Sequence, residues 1–168
     1  TTQMRALIAQ MRLRRDHAVV FDLTGAYVEA FYNPQTDVIL NPMDERCPSW
    51  SVFGEAKNHA DFTGIAAALL PADGGGAEPF WMLAARTLFV ESCIKLIKDG
   101  QATNQALASR LMMADLKEVH KMLENTVADP LTAPEAAKMA ESIRAVFNTN
   151  AQALRFLPEG KEPFSIQA

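Results

Sequence analysis

His17-Ala18-Val19-Val20-Phe21-Asp22-Leu23 is a short apolar run with β-branched residues, and Asp37-Val38-Ile39-Leu40-Asn41-Pro42 is a second. Both are too short for a helix, and charges and Gly25 flank the first, so both are predicted as buried parallel strands. Pro42 closes the second, because proline has no N–H to give to a ladder. Ahead of them, Met4, Leu7, Ile8 and Met11 recur at spacings of three and four, which puts them on one helical face. That helix carries Arg5, Arg12, Arg14 and Arg15, with no acid before Asp16. The cations gather at its C-terminal turn, where the helix dipole favours each by about 0.3–1 kcal/mol. Helix, strand, connection, strand is the order of an α/β sheet.

Beyond about residue 55 the pattern turns helical. Asp61 to Leu70 reads as a helix stopped by Pro71 and followed by the loop Asp73-Gly74-Gly75-Gly76. Phe80 to Lys98 is a long helix, apolar nearly all round in its first half and ended by Gly100. Thr103 to Met112 and Asp115 to Glu124 are two shorter helices. Thr132-Ala133-Pro134-Glu135 has the form of a capping box, which predicts a helix from there to about Leu157. Its stripe, at alternating spacings of four and three, is Ala136, Ala140, Ile143, Phe147, Asn150, Leu154 and Leu157. An α/β portion thus leads into a helical block, with no internal repeats.

The 168 residues suffice for one domain that buries about two-thirds of its unfolded surface. With 49% apolar and 21% charged residues, the chain is neither disordered nor fibrous. Sixteen basic against twenty acidic residues leave a net charge of −4, which disfavours binding by phosphate neutralisation over the whole surface. Cys47 and Cys93 stand far apart with no CxxC or Cys/His cluster, so neither a zinc site nor a disulfide scaffold is indicated. No apolar run reaches the roughly 18 residues of a membrane span, and no signal peptide leads the chain. The pattern predicts a soluble chain in a reducing, cytosolic environment. It opens at Thr1-Thr2-Gln3 without a methionine and is helical at once, which reads as a piece excised from a longer protein.

Val19-Val20-Phe21-Asp22 imitates the strand that holds Mg²⁺ in nucleotide-binding proteins. Without a G-x-x-x-x-G-K-[ST] in the chain, a buried strand with a polar residue at its mouth is the better reading. His17, His59 and His120 stand in unlike contexts and fit surface or capping roles, so no enzyme active site assembles from the sequence. Arg86 lies among Met82, Phe89, Val90, Cys93 and Ile97 on the long helix and must find a carboxylate or carbonyls. Structural pairing is favoured over ligand contact, with Asp44, Glu45 and Glu55 as candidate partners. Asn41-Pro42-Met43-Asp44-Glu45-Arg46-Cys47-Pro48-Ser49-Trp50 is the most distinctive stretch, and its prolines and turn formers predict a rigid corner that packs Trp50 into the seam between the two parts. Arg110, Lys117, Lys121 and Arg155 are the basic positions of the helical block able to touch phosphates. Asp115, Glu118 and Glu124 interleave with them, so a solvated mixed-charge face is the plainer reading.

Thr1-Thr2-Gln3-Met4-Arg5, Phe21-Asp22-Leu23-Thr24-Gly25, Phe31-Tyr32-Asn33-Pro34, Asp37 to Arg46 with Trp50, Pro79-Phe80-Trp81 with Ala85-Arg86-Thr87-Leu88-Phe89, and Ser142-Ile143-Arg144 to Leu157 form an ordered set of stretches along the chain. Together they resemble the TraD/TrwB coupling proteins, the ATP-dependent DNA pumps of bacterial conjugation and type IV secretion. The Asn41-Pro42-x-Asp44-x-Arg46…Trp50 string is specific to that family. The resemblance implies a membrane-anchored hexamer at the cytoplasmic face of the bacterial inner membrane, with a RecA-like motor that delivers relaxase-bound single-stranded DNA to the secretion channel. It implies residues 1–55 as a partial P-loop NTPase core, 56–158 as an inserted all-α domain, and 159–168 as the return toward the core. Thr1 and Thr2 would bind nucleotide, with Thr1 closing the Walker A loop and ligating Mg²⁺, and Asp22 would end the strand after the P-loop helix. The parent would use ATP and Mg²⁺. This chain lacks the P-loop glycines, lysine and second acidic strand, so no cofactor and no ATPase activity are expected of it alone. The helical block would contact DNA through Arg110, Lys117, Lys121 and Arg155, or instead dock relaxase and relaxosome proteins without touching DNA. A purely structural insertion is the third alternative.

Overall fold

The arginine-rich opening is helical, as its spacing predicts. In the computed structural model, which describes residues 2–71, 79–161 and 163–166, α1 spans Thr2–Arg14 with Arg12 and Arg14 in its last turn. Arg15 ends it in the left-handed region at φ 59°, where its N–H reaches Arg12 O and the N–H of Asp16 reaches Met11 O. Of the predicted apolar face, Ile8 is buried and Met4 and Leu7 are exposed. Gly25, at φ 77°, leads into α2, Ala26–Phe31. These elements belong to a first compact unit, Thr1–Ile39.

Residues 17–23 and 37–42 form no strand among the described residues, contrary to expectation. A strand exists through its ladder, and neither run finds one among the described residues. Val19, Val20, Phe21 and Leu23 are all exposed, at 102%, 40%, 87% and 84%, whereas Asp22 is half-buried.

The second unit, Leu40–Ala168, is largely helical. Its parallel sheet is two strands long, β1 (Ser49–Trp50) against β2 (Pro163–Phe164), with Ser49 opposite Pro163 and Trp50 opposite Phe164. Ser51 caps α3 (Val52–Glu55), and Asn58 caps α4 (His59–Leu69) by accepting the N–H groups of Ala60 and Asp61. The long helix α5, Pro79–Lys98, ends at Gly100, whose φ of 68° lets the N–H of Gln101 return to Leu96 O. It packs on α4 and on α9 (Ala137–Asn150). Phe62, Phe89, Phe147, Leu88, Leu96, Leu111, Leu123 and Ile143 fill the core, with the Phe89 and Phe147 rings 5.8 Å apart. The glycine loop at 74–76 lies outside the described residues.

Two helical expectations need correction. The segment read as a helix from Thr103 to Met112 is α6 (Asn104–Leu107) followed by a wider π-helical turn, Ala108–Met113. Side chains of α9 hold that turn, Arg144 donating to Ala114 O and Asn148 Nδ2 to Met112 O at 3.3 Å. After α7 (Leu116–Leu123), which Asp115 caps at Glu118 N, comes α8 (Asp129–Thr132). Thr132 closes α8 instead of opening a capping box, because its hydroxyl is taken by the carbonyls of Ala128 and Asp129. A 3₁₀ turn at Pro134–Ala136 then feeds α9, which stops at Asn150; a second 3₁₀ turn, Gln152–Arg155, completes the stripe. No helix among the described residues is long and apolar enough to cross a membrane. Replacing Phe147, which is fully buried against Phe89, with alanine is expected to cost about 3–5 kcal/mol, read as a lower denaturant midpoint at unchanged slope.

Candidate functional site

The turn at residues 41–50 is built by short side chains bonding to nearby backbone. Asn41 Oδ1 accepts the N–H of Met43 at 3.1 Å, and Asn41 O accepts that of Asp44 at 2.9 Å. Asp44 then takes three donors from one residue: Arg46 N and Nε on Oδ1, both at 2.9 Å, and Arg46 Nη2 on Oδ2 at 2.7 Å. This fork, with Lys161 nearby, holds the Asp44 carboxyl down at about 2. The N–H of Cys47 returns to Asp44 O and closes the corner. The Asn41, Asp44 and Arg46 side chains thus hold this turn through their own hydrogen bonds.

What the corner grips is the far end of the chain. Lys161 donates its Nζ to Glu45 O at 2.7 Å and its N–H to Ser49 Oγ at 2.9 Å, and β1 pairs with β2 immediately after. Trp50 packs partly buried on the helical core, and its Nε1 donates to Glu55 Oε1 at 2.9 Å. Glu55 is 6% exposed, and it also accepts the N–H of Ile166 at 2.7 Å and the hydroxyl of Ser165 at 3.2 Å. Asn104, 3% exposed, ties the other side, with Nδ2 on Trp50 O at 2.7 Å and Oδ1 accepting Val52 N and Ser51 Oγ, each at 3.2 Å. An apolar hollow of about 230 Å³ lies beside the clasp, lined in part by Trp50, Cys47 and Ile166. Asn104 was not legible as a clasp residue, and Glu55 was legible only as a partner for Arg86.

Arg86 pairs with none of Asp44, Glu45 or Glu55. Its Nε and Nη2 both donate to Leu70 O, at 2.9 and 2.5 Å, so the guanidinium closes the C-terminal end of α4. A carbonyl with no helical partner satisfies the fork without an acid.

In the first unit, Asp22 Oδ2 accepts the N–H groups of Val28 at 2.9 Å and Tyr27 at 2.8 Å, which lowers its carboxyl from the usual range. Its Oδ1 is buried without a hydrogen-bond partner among the described residues. Asp37 is lowered as well: burial alone would raise it, but the Asn33 N–H, the Thr36 hydroxyl and the Arg12 guanidinium outweigh that. Thr2 opens α1 exposed, with no acid in the first turn; Thr1 lies outside the described residues. Burial pushes the Cys93 thiol up. No cluster of metal-binding side chains occurs among the described residues.

The four basic candidates sit on three elements. Arg110 is exposed on the π-helical turn, Lys117 and Lys121 are exposed one turn apart on α7, and Arg155 is exposed at the end of the last 3₁₀ turn. None of the four makes an ion pair among the described residues, whereas Arg12, Arg14, Arg46 and Lys95 are each paired with an aspartate.

All of residues 1–168 match the family model of the type IV secretion-system coupling protein DNA-binding domain. The chain belongs to that family. The coupling protein TraD of Escherichia coli (strain K12) is 33% identical over 167 residues, which are 98% of this chain and 23% of TraD. The plasmid coupling protein TrwB, solved in complex with ADP and Mg²⁺, is 30% identical with a TM-score of 0.84, over 98% of this chain and 39% of TrwB. TrwB in complex with a non-hydrolysable GTP analogue superposes equally well, at 29% identity. The chain thus spans about a quarter of TraD and about two-fifths of the solved TrwB chains.

Two outcomes test the coupling-protein corner. The Asp44 carboxyl is expected to titrate near pH 2: its contribution to stability is present above the ordinary carboxylate range and is lost only as pH falls through the depressed value, read by NMR of its side-chain carbon. Asn104→Ala strands Val52 N–H and Trp50 O in a buried site and is expected to cost about 2–3 kcal/mol in chemical unfolding.

Proposed function

We propose that this chain is the DNA-facing portion of a conjugative coupling protein, with a helical block that contacts single-stranded DNA through Arg110, Lys117, Lys121 and Arg155. The observation that carries it is the exposure of these four cations on the helical block with no ion pair among the described residues. Backbone phosphates are the natural acceptors for such groups, and hexamer formation would gather them around one strand.

The partial RecA-like core is part of the same reading. An apolar run exposed at Val19, Val20, Phe21 and Leu23, with a buried carboxylate oxygen of Asp22 left over, suits a strand that takes its neighbours from elsewhere in the parent. We assign residues 1–55 and 159–168 to that core and 56–158 to the inserted all-α domain. The parallel pairing of β1 with β2, which brings the two ends of the helical block side by side, supports the assignment. TrwB has been solved with ATP and GTP analogues and with ADP and Mg²⁺. In this chain the residues toward such a group are Thr1 for the metal and Thr2 for phosphate, and Thr2 fits in that an exposed hydroxyl at a helix start free of acids suits an anion. The bound nucleotide would supply phosphoryl-transfer energy for translocation, in a parent anchored at the cytoplasmic face of the inner membrane and joined to relaxase and the secretion channel.

A second reading rests on α7, where Glu118 and Glu124 are exposed beside Lys117 and Lys121. Such a mixed face suits docking of relaxase or accessory proteins without DNA contact. The two readings part in a salt titration with single-stranded DNA. Under the DNA reading, each alanine replacement at Arg110, Lys117, Lys121 or Arg155 weakens binding for all sequences and flattens the slope of log affinity against log salt by about 0.7 per lost contact. Under the docking reading, DNA binding is absent and relaxase binding survives nuclease treatment.

A further inference from the structure

Phe156 is 57% exposed, and no described aromatic of the second unit is more open to solvent. Large apolar rings usually turn inward on the turn that ends a helical block, and here the chain had three neighbours to bury instead: Ala151 and Leu154 are buried and Leu157 is packed against the core. Those anchors fix the turn, with the N–H of Phe156 bonded to Ala153 O at 3.1 Å, so the ring stands on a rigid base. The guanidinium of Arg155 lies 6.0 Å over its face. The two other charged side chains of this stretch are engaged away from it: Glu159 accepts the N–H of Gln105 at 2.9 Å, and Lys161 donates to Glu45 O. Arg155 makes no ion pair among the described residues, and the ring beside it is largely open to solvent.

We propose that Arg155 and Phe156 together form a nucleotide-stacking platform, on which an unpaired base of single-stranded nucleic acid lies against the Phe156 ring while the Arg155 guanidinium meets the adjoining phosphate. An exposed aromatic with a neighbouring cation is the pairing that binds single strands without reading their sequence, because every base offers a π face and every linkage a charge. A duplex would use only the cation, its bases being stacked on one another. The inference rests on the DNA-contact reading above and adds a residue, Phe156, that works through the base and not through the phosphate.

That difference sets the test. The full chain is titrated with a short fluorescent oligothymidylate and with an abasic strand of equal length and charge, using wild type, Phe156→Ala, Phe156→Trp and Arg155→Ala. Wild type is expected to bind the oligothymidylate at least about fivefold more tightly than the abasic strand. Phe156→Ala is expected to bind both strands with the abasic affinity, Phe156→Trp to keep the preference, and Arg155→Ala to weaken both. Equal wild-type affinity for the two strands, or a base preference that survives in Phe156→Ala, overturns the platform. If both strands bind equally and the affinity still depends on Arg110, Lys117 and Lys121, the platform alone fails; if neither strand binds wild type at any salt, the DNA-contact reading fails and the platform with it.

Discussion

The helical unit closes on itself through one buried carboxylate. Glu55 receives an indole N–H from β1 and an amide and a hydroxyl from the segment after β2, and with Asn104 on the opposite side it makes a two-residue ladder sufficient. Two ladder positions would be marginal by themselves, since isolated strand pairs are marginal in water even when longer. A carboxylate withdrawn from water without donors costs several kcal/mol, whereas one with three donors recovers most of that and binds all three groups to a single point. The same site that penalises loss of any donor thereby fixes where the chain must return. The helices between the two strands can be long and irregular because their ends do not have to be held by the helices themselves.

The ionic groups divide along the same line. Asp44 and Arg46 are spent on each other within the corner, Lys161 on a carbonyl of it, and Arg86 and Arg144 on carbonyls at the ends of a helix and of the π-helical turn. These are short-range, largely local bonds, and they serve to end elements where backbone groups would otherwise lack partners. The cations left out of this work stand on the outer surface of the block. A chain of net charge −4 can therefore commit many of its ionic groups to ending elements and still present isolated positive points outside.

The sequence carried the helices well and the strands poorly, for different physical reasons. A helix satisfies its own backbone, so the periodicity of residues 80–98, the Asp115 cap and the stop at Gly100 were sufficient to locate α5 and α7 within a residue or two. A strand is defined by what lies beside it, and the runs at 17–23 and 37–42 have β-like composition with no ladder among the described residues, whereas the paired strands at 49–50 and 163–164 are too short to leave a pattern. Local competition explains the failed capping box: Thr132 can bond backward to Ala128 and Asp129 as readily as forward, and Pro130 already begins a turn there. The corner at 41–50 was legible because Asn, Pro and Asp impose turns locally, but its partners were not. Glu55 and Asn104 act across more than fifty residues, and nothing in their immediate neighbourhood distinguishes them from a surface acid and an ordinary helix-start amide.

Net charge is a poor guide to what this surface binds, and the reason is screening. At physiological ionic strength a phosphate feels exposed charges within about 8 Å and little beyond, so the four excess acids of the whole chain matter less than the acid nearest each cation. By that measure the basic positions are not equivalent. Lys117 and Lys121 share α7 with Glu118 and Glu124, which soften any attraction and lend the face equally to a protein partner. Arg155 differs, because it makes no ion pair among the described residues and its guanidinium lies beside an exposed ring, while Glu159 Oε1 accepts the N–H of Gln105 at the start of α6. On the proposed DNA-contact reading, what this block offers a strand is set less by how many cations it holds than by which of them have no acid within reach.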